Sequence, residues 1–517
     1  MKNLFSQEIV QPGHIAVVAY LLLALVASSS QAAVPTDTQE LRDAVTVGGV
    51  MTHLRAFQAI ADANNGNRAA GTSGHNASVE YVEGLLDAAG YDTLRQAFTY
   101  QRSDFGDSTL EQISPNPAVY VLDVDYFPMN FSGGGDVTAA VTPVDVNLAG
   151  DRASTSGCEE ADFVGFTAGN IALIQRGFCD YSVKADNAAA AGAVGVIIFN
   201  QGNVVSGDDR LGLFIGTLNE PVRSIPVVSA PFALGAEWAT TPGLQMRLQL
   251  EAEIVSVTTE NLLADTPTGR TDRTVVVGGH LDSVAEGPGI NDNGSGTAVI
   301  LETALQMADL GIEPENRVRF AFWSGEEDGL FGSSFYVSQL SKSEIKGTAL
   351  NLNFDMVGST NSVNFVYDGD GDALGISGPN GSGAIEDVFT DFFDSQGEFS
   401  EPAAFDGRSD YFAFIEAGIP AGGLFTGDEG IKSAEQAAIF GGIAGEPYDP
   451  CYHAACDDIT NINEDILDLM ADAIAHSILT FAETTSAVNG TGKGKGKGKG
   501  KAVGQINWAF KGGHTLK

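Results

Sequence analysis

Two of the seven histidines stand among carboxylates in a way that suits metal chemistry. His280 and Asp282 occur in VVVGGHLDS, where an apolar run changes into a glycine-containing turn, and Asp292 follows in GINDNGSG just ahead of a helical pattern. The next apolar run ends in WSGEED, so Glu326 and Glu327 emerge side by side, and a third run, LNLNFD, ends in Asp355. His453 lies in PYDPCYHAACDD with Tyr452 beside it. Any one of these aspartates reads equally well as a helix cap. Three successive apolar runs that each end in His/Asp or carboxylates are hard to explain by packing. Two imidazoles with several carboxylates suit Zn²⁺ better than Mg²⁺, which prefers oxygen and water, while Mn²⁺ and Co²⁺ remain compatible with the residue types. One carboxylate shared by two ions would hold them ~3.5–4 Å apart, a spacing suited to activating water and stabilising a tetrahedral oxyanion. Adjacent acids can divide the work, one coordinating metal and the other carrying a proton. This is the chemistry of a hydrolase.

A serine mechanism fits less well. Ser324-Gly325 and Ser409-Asp410 lie outside any G-x-S-x-G motif, and no strand-to-helix nucleophile elbow surrounds them. Of the other histidines, His14 lies in the leader and His514 in the tail, and His53 and His476 fall on helical stretches that suit core or surface roles. His75 sits in NRAAGTSGH, read as a glycine-rich loop able to cap the site.

The elements that must position these residues follow from periodicity. Residues 41–65 and 78–91 have helical spacing, and DTLRQAFTY reads as a strand. From about 110 to 255 the composition shifts to Gly, Val, Asp and Ser, with strands expected at 169–177, 193–200 and 224–230 and a short alanine-rich helix after Tyr181, which together describe a small β-rich insert. From about 256 strands and helices alternate regularly, as in a sheet covered by helices on both faces, whose strand ends are where ligands bind. A last helix closes the globular part near residue 485. The expected organisation is a leader at 1–33, a catalytic domain at 34–115 and 256–487 interrupted by an insert at 116–255, and a Gly/Lys-rich flexible tail at 488–517.

The leader carries the short apolar run IAVVAYLLLALVA followed by SSSQAA, as in a secretory signal, and its length falls short of the ~20 residues needed to span a bilayer. An oxidising destination permits disulfides, and of the three pairings open to four cysteines the compact one joins Cys158 to Cys179 and Cys451 to Cys456. The chain carries a net charge of −40 over 517 residues. Eight of its basic residues are lysines in the leader and tail, so residues 34–490 hold a net −47. Such a surface repels nucleic acid, which is bound through clustered Lys and Arg.

Taken in order, NRAAGTSG, GGHLDSV, GPGINDNGSG, FWSGEEDGLFGS, NFDMVG, FDGRSDYFAFIEAGIPAGGLFTG and YDPCYHAACDD resemble the secreted, co-catalytic zinc aminopeptidases of peptidase family M28, especially bacterial leucine-preferring members with a protease-associated (PA) domain. The resemblance implies a zinc-exopeptidase three-layer α/β sandwich with a mixed central sheet and an inserted PA domain. It implies two zinc ions bridged by Asp292, with His280 and Asp355 on one side and Glu327 and His453 on the other. Glu326 would be general base and acid, Asp282 would orient His280, Tyr452 would hold the developing oxyanion and Arg408 would position substrate. The expected partners are peptide or protein N-termini, met by a secreted monomer with an apolar preference, and structural Ca²⁺ is a possible further ion. The alternatives are a related carboxypeptidase or glutaminyl cyclase-like enzyme, or a catalytically silent surface-binding protein.

Overall fold

The computed structural model describes residues 36–205 and 208–490. The signal sequence expected at 1–33, and the tail from 491 onward, lie outside the described residues.

The catalytic half is built on strands whose alternate residues face opposite ways. Across the sheet the strands run in the order Glu401–Ala403, Phe365–Tyr367, Ala421–Phe425, Thr348–Phe354, Arg270–His280, Asn316–Trp323 and Gln245–Asp265. The pairings from Ala421–Phe425 to Asn316–Trp323 are parallel, and the neighbours on either side of that block are antiparallel, so the sheet is mixed. Val275, Val277, Phe320, Phe322, Leu350 and Leu352 project into a core shared with helices Val47–Ala63, Gly296–Asp309 and Glu464–Glu483. The intervening Val276, Ala321 and Trp323 pack on the other face against Tyr336 and Phe414, from helices Phe331–Gln339 and Tyr411–Glu416. Period-two burial on both faces is what a sheet between two helical layers requires. This is the expected three-layer sandwich.

The insert hangs from the sheet by two unusually long strands, Asp92–Ser114 and Gln245–Asp265, paired antiparallel almost throughout. One end of this ribbon joins the catalytic sheet through Leu262–Asp265 on Phe322–Arg319, and the other joins the insert through Gln245–Leu250 on Ala140–Gly135. The expected strand over residues 92–100 therefore continues to Ser114. Between the two ribbon strands the insert forms its own sheet, with parallel neighbours Gly135–Val144, Ile171–Gln175, Gly195–Phe199 and Val227–Ala230 and two short helices. Its buried faces form clusters separate from the catalytic core. The Cys158–Cys179 disulfide lies in this insert, and Cys451–Cys456 closes the loop that holds His453.

One local expectation is corrected. The second helix runs Ser73–Ala88, not from 78, and His75 is buried in its first turn rather than in a loop over the site. Thr72 caps this helix by accepting from the His75 N–H. Gly74, which reads as a loop residue, is dictated by packing, because a Cβ there would lie 2.1 Å from the Asn67 carbonyl. The first helical stretch likewise divides into Gln39–Ala44 and Val47–Ala63, where the Thr46 side chain accepts from Gly49 N.

Candidate active site

Four of the chemical residues stand just where a parallel strand stops. His280 ends its strand, Glu326 and Glu327 follow Trp323, and Asp355 follows Phe354. Asp292 lies in the irregular turn Ile290–Ser295 that leads into helix Gly296–Asp309. Gly325, with φ +71, turns the chain sharply before the two glutamates. Met356 and His453 also adopt left-handed backbone (φ 56 and 54), a conformation costly for residues with a side chain and held by the surrounding structure.

Asp292 is the centre of the cluster. Its Oδ1 lies 3.2 Å from His280 Nε2, and its Oδ2 lies 3.2 Å from His453 Nε2. Asp355 Oδ1 approaches His280 Nε2 at 3.3 Å, with Glu326 Oε2 at 3.8 Å, while Glu327 Oε2 lies 3.0 Å from His453 Nε2. Donor atoms of His280, Asp292 and Glu327 all fall within 4.8 Å of one another, as do those of His280, Glu326 and Asp355.

Two unit charges 4 Å apart interact by ~4 kcal/mol at an effective dielectric of 20, so four acids packed this closely demand positive charge. The two imidazoles register that demand. Burial alone would lower the His453 pKa, but Glu327 and Asp292 outweigh it and raise it to about 10. His280, with burial again opposing, is driven well above its ordinary value by Glu326, Asp355 and Asp292. A nitrogen and oxygen donor set of this composition, buried and strongly anionic, fits two zinc ions.

Further residues brace the donors. His280 Nδ1 lies 3.1 Å from the Asp282 backbone carbonyl, which holds the Nε2 lone pair toward the carboxylates, whereas the Asp282 carboxylate stands farther off at 3.8 Å. Ser409 Oγ donates to Asp355 Oδ2 at 2.6 Å and accepts from Asn353 Nδ2 at 2.8 Å. The serine considered as a nucleophile thus fixes a donor carboxylate. Asp457, four residues past His453, accepts from Asn291 N at 2.9 Å and from Asp292 N at 3.0 Å, and Asn461 ties it to Asp449. Arg68, fully buried, donates to the carbonyls of Leu281, Pro288 and Gly289 and so fastens the loop between His280 and Asp292. Sequence reading missed Asp457, Asn461 and Asn353. Their signal was present only for Asp457, as the acid pair that closes CYHAACDD.

Tyr452 stacks on the His453 ring with centroids 3.9 Å apart. Its hydroxyl lies 3.3 Å from Arg408 Nη2, and Arg408 is itself held by Asp428 at 3.3 Å and Glu429 at 2.9 Å. Beside Asp355 opens a cavity of about 380 Å³ lined by Met356, Phe365, Tyr367 and Phe425, with Asp406 and Arg408 on its wall. Away from the site, Asp368, Asp370 and Glu386 also gather. Backbone N–H groups of Gly369, Gly371 and Leu374 donate to Asp368 and Glu386 there.

This architecture has close counterparts. The peptidase family M28 profile matches residues 261–478, which include every donor named above, and the PA domain profile matches 137–238, within the insert. An aminopeptidase of Pseudomonas aeruginosa is 48% identical over 442 residues, covering 85% of this chain and 82% of its own. A probable lipoprotein aminopeptidase of Mycobacterium tuberculosis is 39% identical, over 87% and 88% of the two chains. Among solved structures, an aminopeptidase from Aneurinibacillus sp. strain AM-1 superposes with TM-score 0.65 at 25% identity, covering 85% of this chain and 95% of its own. A zinc aminopeptidase from Bacillus subtilis gives 0.55 at 27% identity, over 84% and 94%. With strand-end donors, a three-layer sandwich, a PA insert and this level of identity along most of its length, the chain belongs to peptidase family M28.

Proposed function

We propose that this protein is an exported metallo-aminopeptidase that hydrolyses the N-terminal peptide bond of peptides or proteins, with a preference for apolar first residues. The observation that carries the reading is Asp292, whose two oxygens address different histidines. An imidazole Nε2 has one lone pair and serves one ion, so Asp292 rather than His280 is the natural bridge. His280 and Asp355 would hold one zinc ion with Asp292 Oδ1, and Glu327 and His453 the other with Asp292 Oδ2. When bound, such a pair supplies Lewis acidity that polarises a carbonyl and makes water a nucleophile near neutral pH.

The protein's own groups do the rest. Glu326 stands beside the donors, placed to take a proton from the attacking water and return it to the departing amine. The Tyr452 hydroxyl, steadied by Arg408, donates to the substrate carbonyl oxygen as negative charge builds there. Glu326 and Asp355 supply negative charge for the free α-amino group. The apolar walls of the cavity beside Asp355 suit an uncharged first side chain. Export is supported by the apolar leader in the sequence and by the kinship with a lipoprotein aminopeptidase, and no described helix is long and apolar enough to cross a membrane.

The test is cleavage of one peptide in free-amine and N-acetylated forms by the zinc-loaded protein, read by mass spectrometry. Release of a single N-terminal residue from the free form alone is the expected result. Equal cleavage of both forms would exclude an aminopeptidase.

A further inference from the structure

A second cavity, of about 300 Å³, lies where three parts of the molecule meet. The ribbon contributes Arg102, the insert Phe131 and Asn219, and the segment after the paired glutamates Asp328, Phe331 and Ser334. Its wall begins one residue from Glu327. The Tyr100 hydroxyl and Arg102 Nη1 both donate to Asp328, the latter at 3.2 Å. The Tyr100 ring stacks on Phe331 at 4.1 Å, and a Cβ on Gly325 would come within 3.1 Å of that ring. The insert also comes near the loop between His280 and Asp292. Asp123 is raised from its ordinary pKa by burial and by Glu286, which lies in the loop between His280 and Asp292.

The first cavity adjoins Asp355, which faces His280, and the second begins at Asp328, the residue after Glu327, which faces His453. A peptide whose first side chain occupies the Asp355 cavity and whose scissile bond lies over the paired histidines continues toward Glu327. Because an extended residue advances ~3.5 Å, its second side chain comes within reach of the Asp328 wall. We propose that this cavity is the subsite for the second residue of the substrate, built jointly by insert and catalytic domain and selective for a large aromatic or apolar side chain. The proposal rests on the aminopeptidase reading. Phe131 and Phe331 supply the apolar surface, and Arg102 is already matched by Asp328 and Asp104, so the subsite offers no spare cation to an acidic side chain.

Steady-state kinetics of the zinc-loaded full chain on Leu-Phe-Gly, Leu-Gly-Gly and Leu-Asp-Gly test the subsite. The expected kcat/KM for Leu-Phe-Gly exceeds the other two by at least about tenfold, mainly through KM. Ser334→Trp, at an exposed helix position on the cavity wall, and Phe131→Ala, on the insert side, should each shrink the Phe-to-Gly ratio by about tenfold while both zinc ions stay bound. Equal treatment of Leu-Phe-Gly and Leu-Gly-Gly by the unaltered protein overturns the proposal without any variant, and so does an unchanged ratio in the folded variants. Failure to release leucine from all three peptides is a different result, which rejects the aminopeptidase reading itself.

Discussion

Glu326 and Glu327 are neighbours in sequence with different surroundings. Glu327 contacts His453 at 3.0 Å, while Glu326 stands 3.8 Å from His280. That difference underlies their proposed division of labour. Replacing Glu326 by Ala should lower kcat by roughly 10²–10⁴-fold, the range for loss of a general acid–base, with two zinc ions still present by metal analysis. Near-full activity in that variant would refute the mechanism. Asp457 touches no substrate in this scheme. It ties the backbone of Asp292 to the loop that presents His453, so Asp457→Ala should weaken zinc binding by roughly 10–100-fold, measured by competition with a chromogenic chelator. An unchanged zinc affinity would leave Asp457 no part in holding the donors together.

At the scale of elements, helix Ser73–Ala88 carries an acid-sensitive residue. His75 is fully buried, its Nε2 lies 3.1 Å from the Glu260 carbonyl, and burial depresses its pKa to about 4. The unfolded chain, with an ordinary histidine, binds a proton near pH 6.5 that the folded chain refuses until about pH 4. The unfolded state therefore binds more protons between those values, and stability is complete above about pH 6.5 and falls as pH drops toward 4. By the size of the shift the loss approaches roughly 3 kcal/mol. His75→Gln, which keeps a donor for the carbonyl, should flatten this part of the unfolding-temperature profile relative to the unaltered protein. Parallel profiles would show that His75 does not set the slope.

For the whole molecule, the proposed metal pair would join loops that are far apart in the chain, from His280 to His453. Ligands that bind only the folded state stabilise it with the logarithm of their free concentration relative to Kd, about 4 kcal/mol at a thousandfold excess over Kd. Chelation should abolish peptidase activity and lower the unfolding temperature by several degrees, and added zinc should restore both. Loss of activity with an unmoved unfolding temperature would mean that the ions contribute nothing to holding these loops together. The ribbon of Asp92–Ser114 and Gln245–Asp265 works at the same scale, since its nearly unbroken pairing places the insert against the segment that follows Glu327.

That His280, Glu326, Glu327 and Asp355 would gather was legible in the sequence because their signal is local: an apolar strand that stops at a His or an acid needs only adjacent residues to be noticed. The three-layer sandwich was legible for the same reason, since period-two and helical patterns are written in short windows. His75 was misplaced because Gly74 looks like a loop residue until the Asn67 carbonyl is known to press against it. Which oxygen of Asp292 meets which histidine, how Ser409 and Asp457 brace the donors, and where the insert meets Asp328 were decided by tertiary structure alone. Those contacts join residues tens to hundreds of positions apart, and a hydrogen bond between side chains brought together by folding leaves no periodicity for a sequence to display.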